Sequence, residues 1–317
     1  MTLGRGADAL TKVGLVIMAP LLLAALLEAA ARVLGLSSGF FLRPGPQNCL
    51  ERGALLEMEP RPNCVGDLRG TKVRTNSLGL RGGEVRDDGS TRILAIGDSC
   101  TWGWRVEQNQ SYPEVLQRLL DGRYGRGKFQ VINAGVAGYT SYRGLLYLRE
   151  RGLALHPSIV IAGYGFNDAS PGGDEEARLA ENRMFLPLLK LDDLLMAHSH
   201  FYGWARWTIA VHQSHVPEPS FRVAPGRYRR NLSEIVRLSR DNGAKVLMLS
   251  FATFKNNRRY LQALSSVVSR LDVPLLSYSG PRLDLVHPTA AGYRMVAGQI
   301  LDRLEAEGWL GPAPSQS

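Results

Sequence analysis

Cysteine is scarce in this chain, three in 317 residues. There is no zinc-finger spacing, no RNP-type aromatic signature and no long lysine or arginine run. These absences exclude the common structural zinc modules and the familiar signatures of nucleic-acid readers. A net charge of +9 suits anionic lipid, acidic polysaccharide or nucleic acid in general terms. The basic residues are dispersed, however, with only small clusters at Arg227, Arg229, Arg230 and at Arg258, Arg259, so they read as solvated helix faces and no nucleic-acid partner is expected. Of the six histidines, His198, His200, His212 and His215 fall close together. No carboxylate or cysteine stands at a convincing ligand spacing beside them, so no metal site is expected. Cys49 and Cys64 lie in a polar, proline-containing segment and either pair outside the cytoplasm or remain free thiols. Cys100 is then left over.

What is present is the composition of a folded protein, 44% hydrophobic and 21% charged, long enough for one sizeable α/β core with attachments. Val13 to Leu27 carries no charge, and apolar character resumes after Glu28. Glu28 and Arg32 stand four apart with the acid first, the favourable order for a helix pair, so one helix to Leu36 is long enough to cross a bilayer. Residues 1–36 are expected to be a membrane anchor. A cleaved signal peptide ending near Ala29-Ala30-Ala31 is the rival, and a buried soluble helix the third reading. Positive charges flank the segment almost evenly, with a slight lean towards an extracytoplasmic (periplasmic) catalytic domain. Residues 37–90, rich in proline, glycine and arginine, read as an extended connector with one or two short strands near Lys72 to Thr75.

From residue 91 the pattern alternates. Apolar runs at Thr91 to Ile96, Phe129 to Asn133, Ser158 to Gly163, Ala244 to Ser250 and Val273 to Ser277 predict strands. Helical periodicity is read after Ser111, where Glu114 and Pro113 mark a helix start, and at Ser141 to Gly152, Tyr228 to Asn242, Asn256 to Arg270 and Thr289 to Gly308. Such alternation predicts a parallel sheet covered on both faces. The domain is expected over 91–310, with 311–317 a disordered tail. Residues 170–223 break the pattern and are too long for a plain loop. Helices at Leu186 to Ala197 and Tyr202 to Gln213 suggest a cap over the sheet's carboxyl edge, or a structural insertion without substrate contact.

The first of these strands stops abruptly at Gly97-Asp98-Ser99, which would hold a hydroxyl at the edge where open α/β sheets place their chemistry. Ser99 is the candidate nucleophile. Such a serine needs a base that works near neutral pH and an acid to orient it. Asp284-Leu285-Val286-His287 supplies both, three residues apart on a tight turn before the last helix. The developing oxyanion needs fixed donors. Gly138, in the loop after the second strand, lets a backbone N–H come close, and Asn167, after the third, brings an amide without a charge. Asp98 and Asp168 are expected to brace their loops.

These four stations, in this order, resemble the SGNH hydrolases, the GDSL esterase/lipase family, over Arg92 to about Gly308. The matching residues are Gly97-Asp98-Ser99, Gly138, Gly165-Phe166-Asn167-Asp168, and Asp284 with His287. The turn Asn76-Ser77-Leu78-Gly79-Leu80-Arg81-Gly82 is similar to one in the family's bacterial membrane-anchored branch. The resemblance implies a flavodoxin-like three-layer α/β/α fold, a Ser99–His287–Asp284 triad, and an oxyanion hole from the N–H groups of Ser99 and Gly138 with the Asn167 side chain. It implies no metal or organic cofactor. Two departures bear on the pocket: Cys100 stands where leucine or phenylalanine is usual, and Arg105 where glycine is common. Trp102 and Trp104 serve either core packing or a sugar ring. The expected activity is hydrolysis of a carboxylic ester, O-acetyl groups on cell-envelope glycans first and lipid esters second. The alternatives are an O-acyltransferase of exported polysaccharide and a non-catalytic, membrane-tethered glycan-binding component.

Overall fold

The computed structural model describes residues 3–36, 48–68, 70–213, 221–251 and 258–312. The start of the helix expected from Asn256, His215 and most of the expected tail lie outside the described residues. The chain forms two compact units, one from Met1–Gly45 with Pro187–Pro217, the other from Pro46–Leu186 with Glu218–Ser317.

The larger unit is built on five parallel strands, β5 (Thr91–Gly97), β6 (Phe129–Gly135), β7 (Ile159–Gly163), β8 (Lys245–Ser250) and β9 (Leu275–Ser277), in the order β6-β5-β7-β8-β9. Because successive side chains of a strand point to opposite faces, each apolar run feeds two cores. Leu94, Ile96, Val160, Ala162, Val246 and Met248 enter one core, while Ile93, Ala95, Ile159, Ile161, Leu247 and Leu249 enter the other. Helices α4 (Ser141–Tyr147), α8 (Pro225–Asp241) and α9 (Arg258–Leu271) supply apolar residues to the first core; α3 (Tyr112–Tyr124) and α10 (Ala290–Ala306) supply the second. This is the expected three-layer architecture. Full burial of an aliphatic side chain stabilises by about 1.5–3 kcal/mol, so both faces must be covered for these strands to be stable in water.

The structure departs from the expected extended connector. Instead it holds two antiparallel strand pairs, β1 (Leu50–Gly53) with β2 (Glu57–Pro60), and β3 (Val65–Asp67) with β4 (Lys72–Arg74). Cys49 and Cys64 are joined by a disulfide. Strands of three and four residues are too short to show period-two alternation, which is why the sequence pattern passed over most of them.

The segment that breaks the alternation carries α5 (Glu175–Met184), α6 (Leu186–His198) and α7 (His200–Gln213). Its base is closed by a Pro171–Phe221 bridge and by the Arg222 and Val223 N–H groups donating to Ser170 and Asp168 carbonyls. The smaller unit holds α1 (Leu3–Val33), whose Val16–Val33 window has a mean hydropathy of 1.9, together with α6 from Pro187 onward and α7.

Candidate active site

The residues singled out in sequence lie on loops that follow the strand ends. Gly97 on β5 lies opposite Gly135 on β6 and Gly163 on β7, so the loops carrying Ser99, Gly138 and Asn167 leave neighbouring strands, about 5 Å apart, in one layer. Small residues are required there: a Cβ at Gly135 would collide with the backbone of Thr101 and Trp102 in the short helix α2 (Ser99–Trp102). Asp98 caps that helix, accepting from the Cys100 N–H at 2.9 Å. Burial pushes its carboxyl up to about 6, as the fully buried side chain of a bracing residue would be.

Ser99 Oγ lies 2.7 Å from His287 Nε2. On the far side of the ring, Nδ1 is 2.7 Å from Asp284 Oδ2 and 3.0 Å from Oδ1. The Val286 and His287 N–H groups donate to Asp284 Oδ1 at 3.0 and 2.9 Å. Partial burial works to raise the Asp284 carboxyl, but these main-chain donors and the imidazole together hold it below its ordinary value. A carboxylate at Nδ1 selects the tautomer with its proton there, leaving the Nε2 lone pair to face the serine hydroxyl. The loop carrying the pair is pinned by Arg282, which donates to the carbonyls of Phe251 and Tyr278 at 3.1 and 2.7 Å. The Trp104 ring stacks on the imidazole, centroids 5.8 Å apart.

Gly138 is the third residue of a turn closed by the Tyr139 N–H on the Val136 carbonyl at 3.1 Å, and has φ of +85°. A type II turn demands positive φ at that place, which explains the glycine. Arg222 Nη2 donates to the Gly138 carbonyl at 2.9 Å and to the buried Glu175 at 2.8 Å. The Asn167 amide donates to the Tyr139 carbonyl at 3.0 Å, tying the two loops together with a second amide hydrogen to spare. Asp168, fully buried, accepts from the Ser141 N–H at 3.0 Å and its hydroxyl at 2.5 Å, and burial pushes its carboxyl up to about 7.

Cys100 is separate from this arrangement. Its thiol is buried, donates to the Val286 carbonyl at 3.6 Å, and is pushed up by burial. His200 and His212 place Nδ1 near main-chain carbonyls of Leu36 and Thr208, at 3.1 and 2.8 Å.

Sequence reasoning missed three supports. Arg81 is almost wholly buried and donates to the carbonyls of Trp102, Gly103 and Val106 at 2.8, 2.7 and 2.8 Å. Arg222 and Arg282 act likewise on the Gly138 and His287 loops. The Asn76–Gly82 motif pointed to the first of these; the other two carried no local signal, because their partners are main-chain carbonyls distant in sequence.

A doubly covered parallel sheet with serine, imidazole and carboxylate in hydrogen-bonded series at its carboxyl edge defines a class of α/β proteins built for nucleophilic serine chemistry. Residues 95–295 match the model of the GDSL-like Lipase/Acylhydrolase family, and the chain belongs to that family. It is 24% identical over 177 residues to Esterase TesA of Pseudomonas aeruginosa, a match spanning 55% of this chain and 62% of that protein's length. Among solved structures it is similar to the psychrotrophic esterase EstA from Pseudoalteromonas sp. (14% identity, TM-score 0.46, 70% of this chain and all of that one). It is also similar to the lipase/acylhydrolase from Enterococcus faecalis (16% identity, TM-score 0.44, 68% of this chain and 96% of that one).

Proposed function

We propose that the protein is a serine esterase working through an acyl-enzyme. The observation that carries this reading is the unbroken series Ser99 Oγ–His287 Nε2–His287 Nδ1–Asp284, with 2.7 Å at each junction. Ser99 attacks the ester carbonyl while Nε2 takes the hydroxyl proton. The resulting oxyanion is held by the Ser99 and Gly138 N–H groups and the Asn167 amide. Collapse expels the alcohol, which takes the proton from the imidazolium. Water, deprotonated by the same nitrogen, then releases the acid and restores the serine.

The substrate we assign is a short acyl ester, acetyl on a cell-envelope glycan, with lipid esters second. The Trp104 ring stacked on the imidazole takes up room beside the base, which supports the reading of a small acyl group. We read α1 as an uncleaved anchor and the larger unit as extracytoplasmic. The disulfide supports an oxidising compartment. The anchor is supported by the bonds that Glu28 makes within the smaller unit, which cleavage near Ala31 would discard.

Trapping with a fluorophosphonate probe tests the nucleophile without knowledge of the substrate. The adduct is expected on Ser99 alone and lost in Ser99→Ala; an adduct elsewhere, or ester turnover undiminished in Ser99→Ala, overturns the reading. p-Nitrophenyl acetate is expected to turn over faster than the decanoate. Repeating the assay with a glycan acceptor separates hydrolysis from transfer, since acceleration with acylated glycan as product marks an acyltransferase.

A further inference from the structure

Helix α6 carries apolar residues on both of its sides. Its inner side holds the buried Met196 with the half-buried Leu189 and Asp192, which accepts from the Tyr202 hydroxyl at 2.5 Å and from Arg206 at 3.1 Å on α7. Its outer side carries Leu188, Leu191, Leu194 and Leu195, which are 64, 50, 54 and 40% exposed. Spacings of three and four place these leucines on one stripe. A helix with one core to face and water on its other side keeps that other side polar. Four exposed leucines on one stripe, opposite a side that is already packed, are the arrangement of a helix whose outer solvent is lipid.

The position of the pair along α1 points the same way. Glu28 accepts from the Ser199 hydroxyl at 2.7 Å and from the His200 and Phe201 N–H groups at 3.1 and 3.2 Å. It thereby caps the start of α7, whose first N–H groups have no partner of their own helix. Arg32 donates to the His198 carbonyl at 3.1 Å, at the end of α6, and to Glu28 at 2.7 Å. The only two charged residues within the Val16–Val33 window are thus both spent on the α6–α7 corner. That window spans about 27 Å at 1.5 Å per residue, close to the hydrocarbon thickness of a bilayer, and the corner is attached in its last turns. α7 carries the half-buried Phe201, Tyr202, Trp204 and Trp207, the residue types that gather at membrane–water boundaries.

We propose that the α6–α7 hairpin is a second membrane element, lying in the bilayer surface with the leucine stripe of α6 among the acyl chains and its corner clamped to the end of α1 by Glu28 and Arg32. The occupant of the exposed stripe is lipid. This rests on the reading of α1 as an anchor, and its test keeps the two apart.

The full-length chain is labelled with a nitroxide at Leu191→Cys, and separately at Leu188→Cys. It is reconstituted in vesicles of phosphatidylcholine with a minor fraction of phosphatidylglycerol. Labels at Leu22→Cys in α1 and Leu119→Cys on α3 are the references, and the unsubstituted chain, whose one free thiol is buried, gives the background. Wild-type turnover of p-nitrophenyl acetate by each labelled protein shows that it is folded. The expected result is that the labels at 188 and 191 relax several-fold faster with oxygen than with a water-soluble nickel chelate, as at 22, while the label at 119 shows the reverse. Fast relaxation by the chelate at 188 and 191, with 22 still in lipid, overturns the proposal and leaves the anchor standing. Shielding from both reagents overturns it in favour of a protein partner, such as a second copy. A label at 22 open to the chelate removes the anchor and the proposal together.

Discussion

Asp284 is fixed in orientation by its own backbone. Because Oδ1 already takes the Val286 and His287 N–H groups, an asparagine here would keep its carbonyl oxygen in that place and turn its NH2 towards Nδ1. The ring would answer by moving its proton to Nε2, where it points at Ser99 and cannot accept. Asp284→Asn is expected to cut kcat by roughly 10⁴-fold with little change in melting temperature, as loss of the correct tautomer does in serine hydrolases generally. Steady-state kinetics beside a thermal melt checks both halves. Asp168 makes a different prediction. Burial raises its folded carboxyl to about 7, above its unfolded value, so the native state holds a proton over the range from about 4 to 7 that the unfolded state has released. Its contribution to stability is present at the acid end and is lost as pH rises through about 7. Urea midpoints of wild type and Asp168→Asn, measured across that range, are expected to shift in favour of the variant as pH rises; a constant difference would refute the assignment. At this scale the sequence was legible for the series Ser99, His287 and Asp284, which the structure brings into hydrogen-bond contact. Ser99, His287, Asp284, Gly138 and Asn167 stood out because few residue types serve at each place. Arg105, noted only as a departure, has φ of +56°, which shows the left-handed backbone that glycine would serve there.

At the scale of elements, α2 is too short to hold its own end. The carbonyls of Trp102 and Gly103 point out of its last turn, and Arg81 meets them, reaching from the Asn76–Gly82 turn. Asn76 shapes that turn by accepting the Leu78 and Leu80 N–H groups, each at 2.9 Å. Burial lowers the Arg81 guanidinium to about 10, still a cation at neutral pH and favourably placed at a helix C-terminus. Replacing it with methionine strips donors from three buried carbonyls, at about 1–3 kcal/mol each. Arg81→Lys keeps the charge but not the fork. The lysine variant is expected to lose about 2 kcal/mol by urea unfolding, and the folded enzyme to react several-fold more slowly with a fluorophosphonate. A residue that only stabilised the fold would lower the midpoint and leave that rate alone. The long strands and helices were readable because each repeats its period several times. Of the hairpin strands within 50–74 only the one near Lys72 was readable, and α5 was not, the hairpins being short elements whose register is set by their pairing partners.

At the scale of the whole molecule, the stretch before the sheet is a chain of supports. The disulfide joins Cys49 to Cys64, fifteen residues apart. The Cys64 N–H donates to the Thr75 hydroxyl at 3.0 Å, and the Asn63 N–H to the Asn76 carbonyl at 2.9 Å. Asn76 shapes the turn that carries Arg81, and Arg81 holds the loop behind Ser99. Composition could not reveal this, because proline, glycine and arginine are equally at home in a linker; only the pairing of distant main-chain groups separates the two. Closing a loop of this length is worth about 3 kcal/mol, so the paired Cys49→Ser, Cys64→Ser variant is expected to unfold at a lower urea midpoint by about that amount. If the supports act in series, the same variant reacts more slowly with a fluorophosphonate, and in an Arg81→Met background it brings little further slowing, although the stability loss persists. A double-mutant cycle reads this directly. Additive slowing would mean that the disulfide reaches the serine by some route other than Arg81.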